Sequence, residues 1–142
     1  MIPRILIVDD EERFRTTLGK RLTERDLDVE TVGSGEEAIK IIKEKLFDVV
    51  VLDVKMPGMD GIETLAEIKK VNPNIEVVML TGHASVDSAV DGMRLGAYDY
   101  LMKPCEIDIL MEKINGAYDI KAGRDERIRQ AEIRRMVDRS PS

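Results

Sequence analysis

Tryptophan is absent from the 142 residues, and there are only three tyrosines and two phenylalanines. So few aromatics cannot build a stacking platform for single-stranded nucleic acid. Basic charge is not in excess either. The net charge is −6, and an acidic domain repels phosphate backbones, which excludes autonomous binding of DNA or RNA as an expectation. The single cysteine, Cys105, cannot form an internal disulfide, which fits a reducing compartment. No apolar run approaches the ~18 residues of a membrane span. Met1-Ile-Pro-Arg4 runs directly into a strand-like stretch without the features of a signal peptide. A cytoplasmic protein with no membrane partner is expected.

What is present is a soluble globular composition, 43% hydrophobic and 35% charged. The length suits one domain, and a chain of this size buries ~70% of its unfolded surface. The charge is uneven. Residues 124 to 139 carry a local +2, which leaves the remainder at −8.

The strongest pattern is an alternation repeated five times. Runs rich in Val, Ile and Leu occur at Arg4–Val8, Val29–Val32, Val49–Leu52, Glu76–Leu80 and Tyr98–Leu101. The first, third and fourth are nearly all apolar, as strands covered on both faces require. The second and fifth are more polar and suit sheet edges. Between them lie helical patterns. Phe14, Leu18 and Leu22 line one face of the first helix. Ser34-Gly-Glu-Glu37 reads as a capping box opening the second, which shows Ala38, Ile39, Ile42 and Leu46. Asp60-Gly-Ile-Glu63 opens the third in the same way. Val86, Ala89, Val90 and Met93 form the apolar face of the fourth, and Ile107 to Tyr118 the fifth. This order means an α/β fold, a doubly wound sheet of five parallel strands.

Acids collect where strands end. Asp9 and Asp10 follow the first strand and Asp53 the third. Ligands of open parallel sheets bind beyond the carboxyl ends of the strands. If strands one and three are neighbours, three carboxylates converge, and a hard divalent ion, Mg²⁺ above all, relieves their repulsion. Taken alone, Asp9 or Asp10 would serve equally well as a cap of the first helix. The rest of the rim tips that balance. Thr81 and Gly82 end the fourth strand, and Lys103-Pro104 ends the fifth. A metal, an anionic nucleophile, a hydroxyl donor and an ammonium are the parts needed to accept a phosphoryl group. Asp53 can attack phosphorus to form an acyl phosphate. The metal and Lys103 neutralise the phosphoryl oxygens, and Thr81 donates a hydrogen bond.

Four segments carry a resemblance: Ile5-Leu-Ile-Val-Asp-Asp-Glu11, Val51-Leu-Asp-Val-Lys-Met-Pro-Gly-Met-Asp-Gly61, Leu80-Thr-Gly-His83 and Ala97-Tyr-Asp-Tyr-Leu-Met-Lys-Pro104. In order and spacing they resemble the receiver domain of bacterial two-component response regulators. The resemblance spans residues 2 to about 120 and implies a flavodoxin-like (CheY-like) sheet of strand order 2-1-3-4-5. It implies Asp53 as phosphoacceptor, assisted by Thr81 and Lys103. It implies Mg²⁺, for which Mn²⁺ can substitute, on Asp9, Asp10, Asp53 and the backbone carbonyl of Lys55. It further implies a Thr81–Tyr100 switch and a cis peptide between Lys103 and Pro104. Such a domain is a phosphoacceptor and not an enzyme, catalysing only its own phosphorylation and slow dephosphorylation. Its partners are a sensor histidine kinase or phosphotransfer protein, a downstream protein target and a phospho-dependent homodimer. Output is expected on the face of helix four, strand five and helix five.

Other residues have plainer readings. Cys105 stands where many members carry Phe and is expected to pack as a small hydrophobe. His83 and Lys55 are read as modulators at the pocket rim, leaving the phosphoryl group without a carboxylate or amide to orient water. Met56, Met59, Met79, Met93, Met102 and Met111 are gap-fillers. No glycine-rich phosphate loop follows the first strand, which disfavours nucleotides. A magnesium-dependent aspartyl phosphatase of the haloacid-dehalogenase type would need a second acid where Lys55 stands. A flavin carrier would face an acidic first loop. Residues 1–120 are therefore taken as the receiver domain. Residues 121–142 are taken as a helical extension or linker with a frayed end at Ser140-Pro-Ser142. The stretch 119 to 139 either prolongs the last helix or forms a short separate one, and its apolar residues call for a partner. The wording of the third and fourth segments resembles receivers attached to enhancer-binding transcriptional activators, so the chain is either such a part or a stand-alone receiver.

Overall fold

Five times the chain lays down a strand and returns through a helix. The computed structural model describes residues 2–139, so the end expected to fray at Ser140-Pro-Ser142 lies outside the described residues. The order is β1 (Arg4–Val8), α1 (Glu12–Glu24), β2 (Asp28–Val32), α2 (Gly35–Glu44), β3 (Val49–Leu52), α3 (Gly61–Val71), β4 (Glu76–Thr81), α4 (Val86–Arg94), β5 (Asp99–Met102) and α5 (Ile107–Arg139). All strands pair in parallel, in the order β2-β1-β3-β4-β5, with the two more polar strands at the edges.

Alternate residues of each strand point to opposite faces. Leu6, Val8, Val50, Leu52, Val77 and Met79 pack under α2 and α3 against Ala38, Ile42, Leu65 and Ile68. Ile5, Ile7, Val49, Val51, Val78 and Leu80 pack under α1 and α5 against Leu18, Leu22, Leu110, Ile114 and Ala117. Two buried faces explain why the central strands show no polar alternation.

Three local expectations change. Leu46 lies past the end of α2 and is exposed, and Phe47 is buried in its place. The apolar face expected of α4 is not buried. Val86, Val90 and Met93 are exposed, and the helix meets the domain through buried Gly92, which sits against Ile62, Met79 and Tyr100. A glycine here permits the close approach that larger side chains would prevent. The N-caps Ser34 and Asp60 accept from the Glu37 and Glu63 amides at 3.1 and 2.9 Å. However, Glu37 reaches back to the Gly33 amide rather than to Ser34. The reciprocal capping box forms at Ser85 and Ser88 instead.

The last helix runs unbroken through Gly123, about 50 Å in all for its 33 residues. Its middle is tied to the amino-terminal rim of the sheet. Lys121 Nζ lies 3.0 Å from Asp48 Oδ1, and Arg124 Nη2 lies 3.0 Å from Glu76 Oε1. Arg124 Nη1 donates to Asn74 Oδ1 at 3.1 Å, and the Asn74 amide donates to Asp125. Glu76 is buried, so its charge needs this partner. Beyond the clamp, Ile128, Ile133, Met136 and Val137 are exposed.

Candidate functional site

Strand register delivers the site. Val8 pairs with Leu52, so Asp9 and Asp53 leave adjacent strands side by side. Thr81 pairs with Met102, so Lys103 follows directly beside it. One carboxylate oxygen from each of Asp9, Asp10 and Asp53 lies within 4.8 Å of the other two. Asp9 and Asp53 are 2% and 3% exposed, whereas Asp10 faces solvent. Hard, anionic oxygen donors this close are the chemistry that suits a divalent cation.

Each inner group is held by a neighbour. Asp53 Oδ1 accepts from the Val54 amide at 2.8 Å. Asp9 uses both oxygens: Oδ1 accepts from the Glu11 amide at 2.9 Å and Oδ2 from Lys103 Nζ at 2.7 Å. Thus Asp9 closes a local turn ahead of Glu11, the N-cap of α1, and faces the cluster at once; neither Asp9 nor Asp10 is the helix cap. Thr81 is fully buried, and its Oγ1 accepts from the His83 amide at 3.0 Å. Burial raises the Asp53 pKa above the ordinary carboxylate value, and the Asp9 charge adds to this; a Thr81 hydrogen bond and the Lys103 charge oppose it. Asp53 is therefore an acid whose ionised form lacks enough positive charge around it, which a dication would supply.

The cleft above the acids has a volume of about 390 Å³ and is lined by Asp10, Glu11, Asp53, Lys55, Met56 and His83 with Pro57. Lys55 and His83 are both exposed on its rim. Lys103 reaches the acids through Asp9, to which its ammonium is paired at 2.7 Å. The Lys103–Pro104 peptide is cis. Tyr100 stands away from the acids, half-buried, its hydroxyl 2.6 Å from Ser88 Oγ on α4. Cys105 is half-buried, and burial pushes its thiol pKa up, which makes it a packing residue rather than a ready thiolate.

Two contacts have no counterpart in the sequence reading. Arg15 Nη1 donates to the carbonyls of Asp9 and Asp10 at 3.2 and 3.4 Å, bracing the acidic loop. The Lys103 ammonium lies 3.8 Å from the centre of the Phe14 ring. Phe14 was legible as a core-facing residue of the first helix, but its partner lies 89 positions away. On the outer side of the acids, α3 presses against the chain that carries Asp53. Gly61 donates its N–H to the Val54 carbonyl at 2.7 Å, and a Cβ at Gly61 would overlap the Asp53 carbonyl oxygen.

The comparisons with known proteins agree with this architecture. The family described as response regulator receiver domain matches residues 5–115. The transcriptional regulatory protein ZraR of Klebsiella oxytoca is 42% identical over 113 residues, covering 80% of this chain and 26% of its own length. The chain therefore spans about a quarter of that curated relative. Among solved structures, a CheY-like response regulator receiver domain protein from Methanospirillum hungatei JF-1 is 31% identical. It covers 87% of this chain and 99% of its own, with a TM-score of 0.84. The beryllofluoride-activated NtrC4 receiver domain dimer is 40% identical, covers 83% of this chain and 98% of its own, and has a TM-score of 0.78. The fold, the register and these matches converge: the chain belongs to the response regulator receiver domain family, with the acidic pocket of Asp9, Asp10 and Asp53 typical of phosphoacceptor response regulators.

Proposed function

We propose that Asp53 accepts a phosphoryl group from a sensor histidine kinase or a phosphotransfer protein. The observation that carries this reading is the placement of its buried carboxylate at the end of β3, beside Asp9, Asp10 and the Lys103 ammonium. An Asp53 oxygen attacks phosphorus, the bond from phosphorus to the donor nitrogen breaks, and the imidazole leaves with the electron pair. Asp9, Asp10, Asp53 and the Lys55 backbone carbonyl would hold Mg²⁺, or Mn²⁺ in its place. When bound, that ion supplies the positive charge that offsets the gathering carboxylate and phosphoryl oxygens. Lys103 brings a second cation and Thr81 a hydroxyl.

In this reading the output face is α4, β5 and α5. Thr81 turns toward the phosphoryl group, Tyr100 repacks, and charges such as Arg94 and the Asp99–Lys113 pair at 2.9 Å mediate a phospho-dependent homodimer. The NtrC4 dimer, described as beryllofluoride-activated, supports such pairing. A cytoplasmic location belongs to the same reading. So does the division into a receiver, residues 1–120, and a helical extension, residues 121–142. Two outputs fit this reading, a stand-alone receiver and the receiver part of a longer transcriptional regulator of the enhancer-binding activator type.

Acetyl phosphate with Mg²⁺ tests the central step. One phosphoryl group per chain should appear by intact mass. Asp53→Asn should carry none, and excess chelator should abolish the reaction in the native chain. Stoichiometric labelling of Asp53→Asn overturns the assignment.

A further inference from the structure

Lys103 is the cation nearest the acids, and its surroundings are unusual for a lysine. Its side chain is only 15% exposed. The ammonium makes two ion pairs of unequal reach, a close one to Asp9 Oδ2 at 2.7 Å and a longer one to the exposed Glu11 Oε1 at 3.9 Å. The ammonium also lies over the face of Phe14, 3.8 Å from nitrogen to ring centre. Phe14 and Lys103 line a cavity of about 90 Å³ with Leu18, Leu80 and Leu110, and Thr17 and Arg21 border it as polar residues. A cation over a ring face is attracted by the quadrupole, most strongly where water is excluded. A flexible four-carbon stem would otherwise let a strongly hydrated ammonium swing outward toward Glu11 and bulk water.

We propose that Phe14 is a positioning residue for Lys103: its ring holds the ammonium on the Asp9 side of the pocket and keeps water off it. That the held ammonium serves phosphoryl acceptance rests on the function proposed above. The ring lies in the first turns of α1, outside the acid cluster, and acts only through the lysine. A dehydrated, pre-placed cation meets the phosphoryl oxygens without first shedding its hydration shell.

The test compares Phe14→Leu, which keeps apolar bulk but removes the quadrupole, with Phe14→Tyr, which keeps the ring. In metal-free protein, exchange of the Lys103 ammonium protons with water is followed by ¹⁵N-edited NMR, the signal being assigned by its loss in Lys103→Gln. Exchange should quicken about fivefold or more in Phe14→Leu and return to the native rate in Phe14→Tyr. Phosphorylation at saturating acetyl phosphate should slow by a similar factor in Phe14→Leu and recover in Phe14→Tyr. Equal exchange in the native chain and Phe14→Leu overturns the proposal. Faster exchange with an unchanged phosphorylation rate overturns the role in phosphoryl acceptance. If the native chain takes no phosphoryl group, the phosphoacceptor reading falls, while the exchange rates still decide whether the ring holds the lysine.

Discussion

The Tyr100 hydroxyl and Ser88 Oγ lie 2.6 Å apart, tying the edge strand β5 to the first turn of α4. Ser88 is also the reciprocal partner of Ser85 in the capping box. One hydroxyl thus serves both the start of α4 and the aromatic proposed to switch. Ser88→Ala should loosen that turn, at a cost of about 1 kcal/mol in stability. It should also release Tyr100, whose ring signals should move part of the way toward those of beryllofluoride-loaded native protein. Unchanged Tyr100 signals in Ser88→Ala would remove this tie from the switch.

Asp53 gives the metal-free chain a pH signature. Its folded pKa is raised by burial and by Asp9, so the native state holds its proton more tightly than the unfolded chain does. Its stabilising contribution is full below the unfolded carboxylate value and is lost as pH rises through the folded one. At pH 7 the buried charge therefore opposes folding. Asp53→Asn should be more stable than the native chain in chelator at pH 7, and the gap should close as pH falls toward 4. Urea titrations across that range check it. A gap that widens on acidification would contradict the burial argument.

The helix clamp makes a stability prediction at the other end of the sheet. Arg124→Ala leaves the Glu76 carboxylate buried without its guanidinium and should cost about 2–3 kcal/mol. Glu76→Gln added to Arg124→Ala should recover part of that loss, because a neutral amide replaces the stranded charge. Truncation after Lys121 should cost about as much as Arg124→Ala, whereas truncation after Gln130 should cost little. Equal stability of the two truncations would show that the clamp contributes nothing.

Lys55 and His83 stand on the rim of the cleft, and neither is a carboxylate or an amide that would orient an attacking water there. Lys55→Asn with His83→Glu should therefore shorten the lifetime of the phosphorylated form about tenfold. Loss of radiolabel from Asp53 after donor removal measures it. An unchanged lifetime would mean both side chains simply face solvent.

Much of this was readable from residue order, for reasons that are local. Apolar runs such as Val49–Leu52 and the helical spacing of Leu18 and Leu22 follow from burial on fixed periods. The acids were legible because they end strands, and parallel register then brings strand ends together. What escaped depends on partners distant in the chain. Helix-favouring composition announced a helix beyond Gly123, but not whether it would be continuous with α5, because the contacts holding its middle come from Asp48, Asn74 and Glu76. The apolar residues of α4 looked like a core face, yet the buried residue of the helix is Gly92, which faces Ile62, Met79 and Tyr100. Phe14 over Lys103 escaped for the same reason as the clamp. Composition and spacing name each residue but not the pair.

The absence of a side chain at Gly61 has a mechanical consequence. The α3 end abuts the Asp53 carbonyl so tightly that a methyl group would collide with it, and the Gly61 N–H ties off the next carbonyl. Across the cleft, a Cβ added at Gly82 would find its nearest neighbour, Lys103 Cδ, 3.9 Å away. The backbone behind Asp53 is thus closely packed, while the Gly82 side has room for a larger side chain. Under the function proposed above, accommodation of an added phosphoryl group falls to the Thr81–Gly82 side, so displacement is expected to begin on the strand that borders β5.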